Sequence, residues 1–287
     1  MIRLLAERAN PDWIFCVKES VAVLTTLSII LILTAQRKFS WPSPRVIALV
    51  LIAGFFNEFF GGRLRIWAFA ALGLVLANPL IQISTILTTL LLGAAFLREK
   101  ISAKKWAAFG IFVVALLLIS ISQTGMEPLI EDTSHGTDIE RGMIYVFLSG
   151  LGYTIFYLTM RKISRKESED APTAFPATLA VCLVCSVGVF TGGWSFLEQE
   201  GARAFLTPSA GCWGFGLAAG IAEMAAFFLL NVGLRYATAS KVAMIAVSQL
   251  IFLTLLGQFL FHEPTNLYVW IGLALTGVGI IMTADMD

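Results

Sequence analysis

Long unbroken runs of apolar residues, each bounded by a cluster of charged or turn-forming ones, set the layout of this 287-residue chain. Nine runs stand out, at 13–34, 46–72, 78–97, 106–122, 142–160, 174–194, 211–232, 241–261 and 268–284. They are too long and too uniformly apolar for strands. About 20 mostly apolar residues span a bilayer as a helix, which satisfies its own backbone hydrogen bonds where no water can. The pattern predicts an all-α polytopic membrane protein with nine transmembrane helices. The run 46–72 is the least uniform, because it carries Glu58, Arg63 and Arg65. Asn78-Pro79 is the expected boundary after it, since proline suits the start of a helix.

One stretch occurs twice. Leu91-Leu92-Gly93, Glu99 and Trp106 return at the same spacings as Leu255-Leu256-Gly257, Glu263 and Trp270. The same offset of 164 superposes Ile81 on Ile245, Ser84 on Ser248 and Val114 on Val278. Leu and Val matches between apolar helices arise by chance, but the Gly, Glu and Trp matches point to a duplicated unit.

Composition agrees with the membrane reading. Hydrophobic residues make up 57% of the chain and charged ones 14%, where a soluble domain carries about a quarter charged; mean hydropathy is +0.82. The net charge of +1 favours no partner, and no basic run suggests nucleic acid. The start, with Arg3, Glu7 and Arg8, is not the expected form of a signal peptide.

Basic residues fix an orientation. They gather at 35–45 (Arg37, Lys38, Arg45), 98–105 (Arg98, Lys100, Lys104, Lys105), 161–170 (Arg161, Lys162, Arg165, Lys166) and around 236–240 (Arg235, Lys241). These are alternate loops, and the opposite set is acidic, including Glu127, Glu131, Asp132, Glu198 and Glu263. By the positive-inside rule the basic set is cytoplasmic. The C-terminus is then inside and this chain's N-terminus outside, as in an integral protein of the plasma (inner) membrane. Loop 98–105 is basic whereas its repeat counterpart 262–269 is not, so the two copies are expected upside down relative to each other. The expected organisation is two inverted repeats, 4 + 5 helices: a first half 1–122, an acidic external linker 123–141 and a second half 142–287. Inverted repeats at this scale mark transporters. The run 142–160 has no counterpart in the first half, which implies a misassigned start or a lost first helix.

The order of apolar run, Gly, then Arg98-Glu99 or His262-Glu263, then Trp, resembles the drug/metabolite transporter superfamily, and most closely its EamA-like branch. The resemblance extends from about Pro11 to Thr283. It implies ten helices in two inverted five-helix halves and transport of small solutes, with Lys18 where the family carries a basic residue early in its second helix. Two features differ. The proline that the family often has midway along the fourth helix of each half is replaced by Thr85-Ile86 and Gln249-Leu250, and the first helix is missing.

Charges at membrane depth cost about 2.5–3.5 kcal/mol each on insertion scales and so mark candidate sites. There are six: Lys18, Glu19, Glu58, Arg63, Arg65 and Glu223. They sum to zero, which allows complete pairing. Under the repeat offset Glu223 falls one residue from Glu58, so both can face one cavity and bind a cation, an amine or a proton. The alternative is that each is tied to a group of its own half. Arg63 and Arg65 are two residues apart, about 200° around a helix, and cannot both face one cavity. One can meet a substrate carboxylate while the other snorkels to the headgroups. Lys18 and Glu19 lie near the outer end of their run, and an interfacial position is expected. Ser84, Ser248, Gln249, Asn231, Tyr153 and Tyr157 are polar residues in apolar runs, suited equally to solute contact and to interhelical hydrogen bonds. Phe55, Phe56, Phe59 and Phe60 surround Glu58 and can wall an organic-solute site or face lipid. Gly150, Gly152 and the Gly216/Gly220 pair suit close helix packing.

No Ser/His/Asp set, metal-ligand spacing or phosphate loop appears, and Cys182-x-x-Cys185 reads as two small buried residues. The expectation is a transporter of an amino acid, amine or other polar metabolite, exporting by alternating access, with no cofactor, metal or enzymatic activity. Its partners are the solute and the bilayer, with a homodimer open. The alternative is a non-transporting membrane component, a truncated paralogue or accessory subunit.

Overall fold

A computed structural model describes residues 11–39, 41–72, 74–98, 102–122, 137–170, 177–200, 208–249, 251–252 and 266–284. The described residues form helices α1 (Pro11–Ala35), α2 (Pro44–Phe55), a π-helical stretch π1 (Phe56–Arg63), α3 (Leu64–Leu72), α4 (Leu74–Leu97), α5 (Ala103–Ser122), α6 (Thr137–Asp170), α7 (Ala177–Glu200), α8 (Ala210–Tyr236), α9 (Ala239–Ala246) and α10 (Leu267–Ala284), with no strand among them. With α2, π1 and α3 taken as one continuous element, these match the nine apolar runs in order. Six described helices are long and apolar enough to cross a membrane, and Leu267–Met282 is a shorter apolar one. The fold is that of a polytopic membrane protein.

Local chemistry sets the ends. Ser43, extended at ψ 149°, precedes Pro44 in the first turn of α2. Side chains of Ser102, Thr238 and Asn266 accept backbone N–H bonds from Lys105, Lys241 and Val269 at 3.2–3.3 Å, satisfying donors that a helix start leaves open. α1 closes with Arg37 N–H donating to Thr34 and Lys38 N–H to Leu33, with Arg37 left-handed at φ 54°, the paired-bond end usually built on glycine. The Arg161 guanidinium donates to the Leu234 and Arg235 carbonyls at 2.7 and 2.9 Å and so caps the end of α8.

Three expectations are corrected. The boundary after 46–72 lies before Leu74, and Pro79 sits inside α4. There it removes one backbone bond near the helix start, a defect that packing tolerates. The segment 161–170 is not a loop but the end of α6, whose 34 residues reach about 50 Å, beyond the ~30 Å of a hydrocarbon layer. The run 46–72 is interrupted by eight residues of π-helix. The N-terminal ten residues, residues 123–136 of the expected linker 123–141, Glu99, Leu255–Gly257, His262 and Glu263 lie outside the described residues, as does any test of the missing helix.

Two compact units are present, Met1–Phe59 with Thr159–Tyr236 and Phe60–Leu158 with Ala237–Asp287. Each takes helices from both sequence halves. In the first, α1 packs against α7 and α8, and α2 against α7. In the second, α4 packs against α3, α5 and α9, and α5 against α10. Helices equivalent under the 164-residue offset thus lie together: α1 on α7, α4 on α9, α5 on α10. The first unit is filled by Trp13, Val17, Phe196 and Cys212, and by Ala22, Val181 and Cys185. The second is filled by Ile86, Leu90, Phe112, Leu116, Met244 and Val247. Large apolar residues such as Leu24, Leu31, Phe190 and Leu229 point outward, as lipid-facing side chains do.

Candidate functional site: a buried ionic cluster

Within the first unit α1 is flanked on two sides, and its two adjacent charges use both. Glu19 faces α7 and Lys18 faces α8. Both are buried, Lys18 at 7% and Glu19 at 0% exposure. The side chains turn into the protein because helices cover both faces of α1 at that level. The contact is close. A Cβ on Gly220 of α8 would lie 2.6 Å from the Lys18 carbonyl oxygen and from Val21 Cβ, and one on Gly216 2.9 Å from Val17. The absence of these side chains lets α8 approach until Glu223 reaches Lys18.

The Lys18 ammonium bridges two carboxylates, Glu19 Oε1 at 2.8 Å and Glu223 Oε2 at 2.5 Å. The Phe15 ring lies 4.6 Å below it. Glu19 Oε2 is buried without a hydrogen bond of its own among the described residues, although the Cys185 thiol lies in hydrogen-bonding reach of the same carboxyl group. A buried acceptor left so is costly.

Glu58 comes from the other side of α7. Gly54 of α2 meets Val184, and one turn on Glu58 meets Gly188. Asn57 donates its side-chain amide to Glu58 Oε1 at 2.6 Å. A Cβ on Gly188 would lie 2.9 Å from Glu19 Cγ, 3.2 Å from Glu19 Cδ and 3.2 Å from Glu58 Oε2. Glu19 and Glu58 therefore both pack against Gly188, within electrostatic reach of Lys18 and Glu223. Cys185, one turn before Gly188, lies beside Glu19. The four cysteines are buried free thiols.

Of the sequence candidates, the structure brings together Lys18, Glu19, Glu58 and Glu223. Asn231, two turns along α8 from Glu223, donates to the Phe227 carbonyl of its own helix at 2.8 Å. Phe55 and Phe59 stack at 5.3 Å. The remaining candidates belong to the second unit. Arg63 lies over Trp67 at 5.5 Å and Arg65 over Tyr153 at 6.0 Å, so the two guanidinium groups meet different rings. Tyr157 lies within reach of Tyr153 and Arg65. Ser84 packs against Gly150 between α4 and α6, its hydroxyl buried without a hydrogen-bond partner among the described residues, and one turn on Thr154 contacts Thr88 at 2.6 Å and Thr89 at 3.0 Å. Ser248 and Gln249 lie just beyond α9, half-buried and exposed.

Sequence reasoning missed Asn57, Cys185 and Gly188. Asn57 had a signal, being a second polar residue between two Phe pairs. Gly188 had none, because its use depends on what two other helices place against it.

No group of three or more His, Cys, Asp or Glu suited to a metal ion is present among the described residues. The arrangement can hold a positively charged group against surplus carboxylate in a water-poor interior, where such contacts are strong.

A family model described as the EamA-like transporter family matches residues 140–284, half of the chain. Among curated proteins no match is found. Among solved structures 28 chains are similar. One, described only as "Crystal structure of protein", has a TM-score of 0.75 at 13% identity, covering 97% of this chain and 90% of its own, a likeness of fold. The chain is an integral membrane protein, and it belongs to the EamA-like transporter family.

Proposed function

We propose that this membrane transporter moves a small organic solute, an amino acid, amine or other polar metabolite, and that the ionic cluster of α1, π1, α7 and α8 is where the solute binds. One observation carries the reading: two buried carboxyl groups and a buried ammonium lie together with the half-buried Glu223 in a helical unit of a transporter-family chain. Buried ionic groups add little stability over apolar packing of the same volume, so a purely structural role gives no reason to keep them. Alternating access follows from the expected inverted repeat, whose two halves exchange roles as one side opens and the other closes. Export across the plasma membrane is the direction that the family resemblance suggests, and the C-terminus is assigned to the cytoplasm from the basic clusters. The function is carriage rather than catalysis.

The test is solute movement by the purified full chain in proteoliposomes given a pooled, labelled metabolite set. Glu58→Gln and Glu223→Gln, both checked for folding by size exclusion, should each slow the moving solute about tenfold or more. Absence of any movement by well-folded wild-type protein would sink the reading and favour the accessory-subunit alternative.

A further inference from the structure

We propose that Lys105 and Ser240, where the first turns of α5 and α9 meet, form a site for one phosphate group. The phosphate is that of an anionic lipid headgroup or inorganic phosphate. The site belongs to the second unit and does not rest on the solute reading above.

Lys105 stands where a lysine is poorly placed without an anion. It lies in the first turn of α5, where the helix dipole is positive and disfavours a cation. Neither α5 nor α9 has an acidic residue in its first turn. A lysine at a helix start can run its flexible stem outward and leave the ammonium in water. Ser102, Ala103, Lys104 and Trp106 around it are exposed, yet Lys105 itself is only 8% exposed. Its ammonium turns inward and donates to the Ser240 hydroxyl at 3.2 Å. It has no carboxylate partner among the described residues, in contrast to Lys18, whose ammonium bridges two. An ammonium carries three donors, so one neutral hydroxyl leaves two donors and the whole charge unmatched. A buried charge in that state is costly.

The groups facing Lys105 favour an anion as its partner. Ser240 lies in the first turn of α9, whose N-cap Thr238 accepts the Lys241 N–H. The Thr238 and Ser240 hydroxyls are 3.2 Å apart. An ammonium, two hydroxyls and the positive start of a helix thus converge, as they do on phosphate in many proteins. Leu90, Phe112, Met244 and Val247 pack together within the unit and hold the two helix starts in register. A phosphate oxygen accepts from the remaining ammonium donors, and its charge offsets both the lysine and the dipole. Basic sites between membrane helices at the cytoplasmic face suit phosphate headgroups, and the segment 98–105 is on the side assigned to the cytoplasm from the basic clusters. Exposed Trp106, edge-on to Phe109 at 6.0 Å, suits the interface where the acyl chains of such a lipid begin.

The test uses the full chain, stripped of lipid in a neutral detergent and phosphate-free buffer. One arm titrates it with phosphatidylglycerol, against a neutral glycosyl diacylglycerol that lacks phosphate. The other titrates it with inorganic phosphate, against chloride at matched ionic strength. Affinity is read from the rise in melting temperature, which follows ligand binding to the folded state. Phosphatidylglycerol should bind about fivefold or more tighter than the glycolipid. Lys105→Met should erase that preference, and Ser240→Ala, which keeps every charge, should reduce it. Lys104→Met, which removes an exposed charge from the same turn, should change it by less than about twofold. A Lys105-dependent response to inorganic phosphate alone would assign the site to free phosphate rather than to a lipid. The proposal is overturned if neither phosphate ligand binds more tightly than its control, if Lys105→Met keeps the preference, or if Lys104→Met loses as much as Lys105→Met. Should Lys105→Met fail to fold, Ser240→Ala decides, and an undiminished preference there overturns the site.

Discussion

Lys18 is the residue on which the cluster depends, because its ammonium bridges Glu19 and Glu223. Lys18→Met leaves Glu19 buried without its partner, and removing one member of a buried pair costs about 3–5 kcal/mol. Thermal unfolding in detergent should show a large loss of stability. An unchanged melting temperature would mean that the carboxylates are satisfied by other groups. The six charges were legible as candidates, since charge in an apolar run stands out whatever the fold. Their partners were not legible. Lys18 and Glu223 are 205 residues apart, and nothing in either run indicates that α1 lies against α8. The repeat offset placed Glu58 and Glu223 in near-equivalent positions, but the closer carboxyl neighbour of Glu58, across Gly188, is Glu19.

At the scale of elements, the apolar runs located nearly every helix because length and hydropathy alone decide what spans a bilayer. Interruptions within a run depend on packing, and so π1 and the position of Pro79 inside α4 were not legible. π-helical turns are frequent at functional sites, and π1 carries both Asn57 and Glu58. Helix contacts should be sharply position-dependent. Gly220→Ala places a Cβ 2.6 Å from the Lys18 carbonyl, so the α1–α8 contact must open, at about 1–3 kcal/mol. Gly110→Ala in α5 meets nothing within 4 Å and should stabilise by about 0.5–1 kcal/mol through helix propensity. Melting temperatures of the two variants should move in opposite directions, and a shared sign would contradict the packing described here.

At the scale of the molecule, the 164-residue offset and the basic clusters set expectations of organisation and orientation that no single residue could. The packing of α1 on α7, α4 on α9 and α5 on α10 brings repeat-equivalent helices together, which the offset alone could not say. Orientation is testable without a substrate. Ser102 is exposed at the start of α5 and the native cysteines are buried. A Ser102→Cys variant should resist a membrane-impermeant thiol reagent in intact cells and react in inverted vesicles; the reverse would invert the topology. The most direct test of the transporter account is counterflow. Proteoliposomes preloaded with whichever unlabelled solute the pool identifies are diluted into its labelled form. Wild-type protein should give a transient accumulation above equilibrium, and Glu58→Gln should not. A simple rise to equilibrium by wild-type protein, or an overshoot that Glu58→Gln leaves intact, would contradict alternating access through the buried cluster.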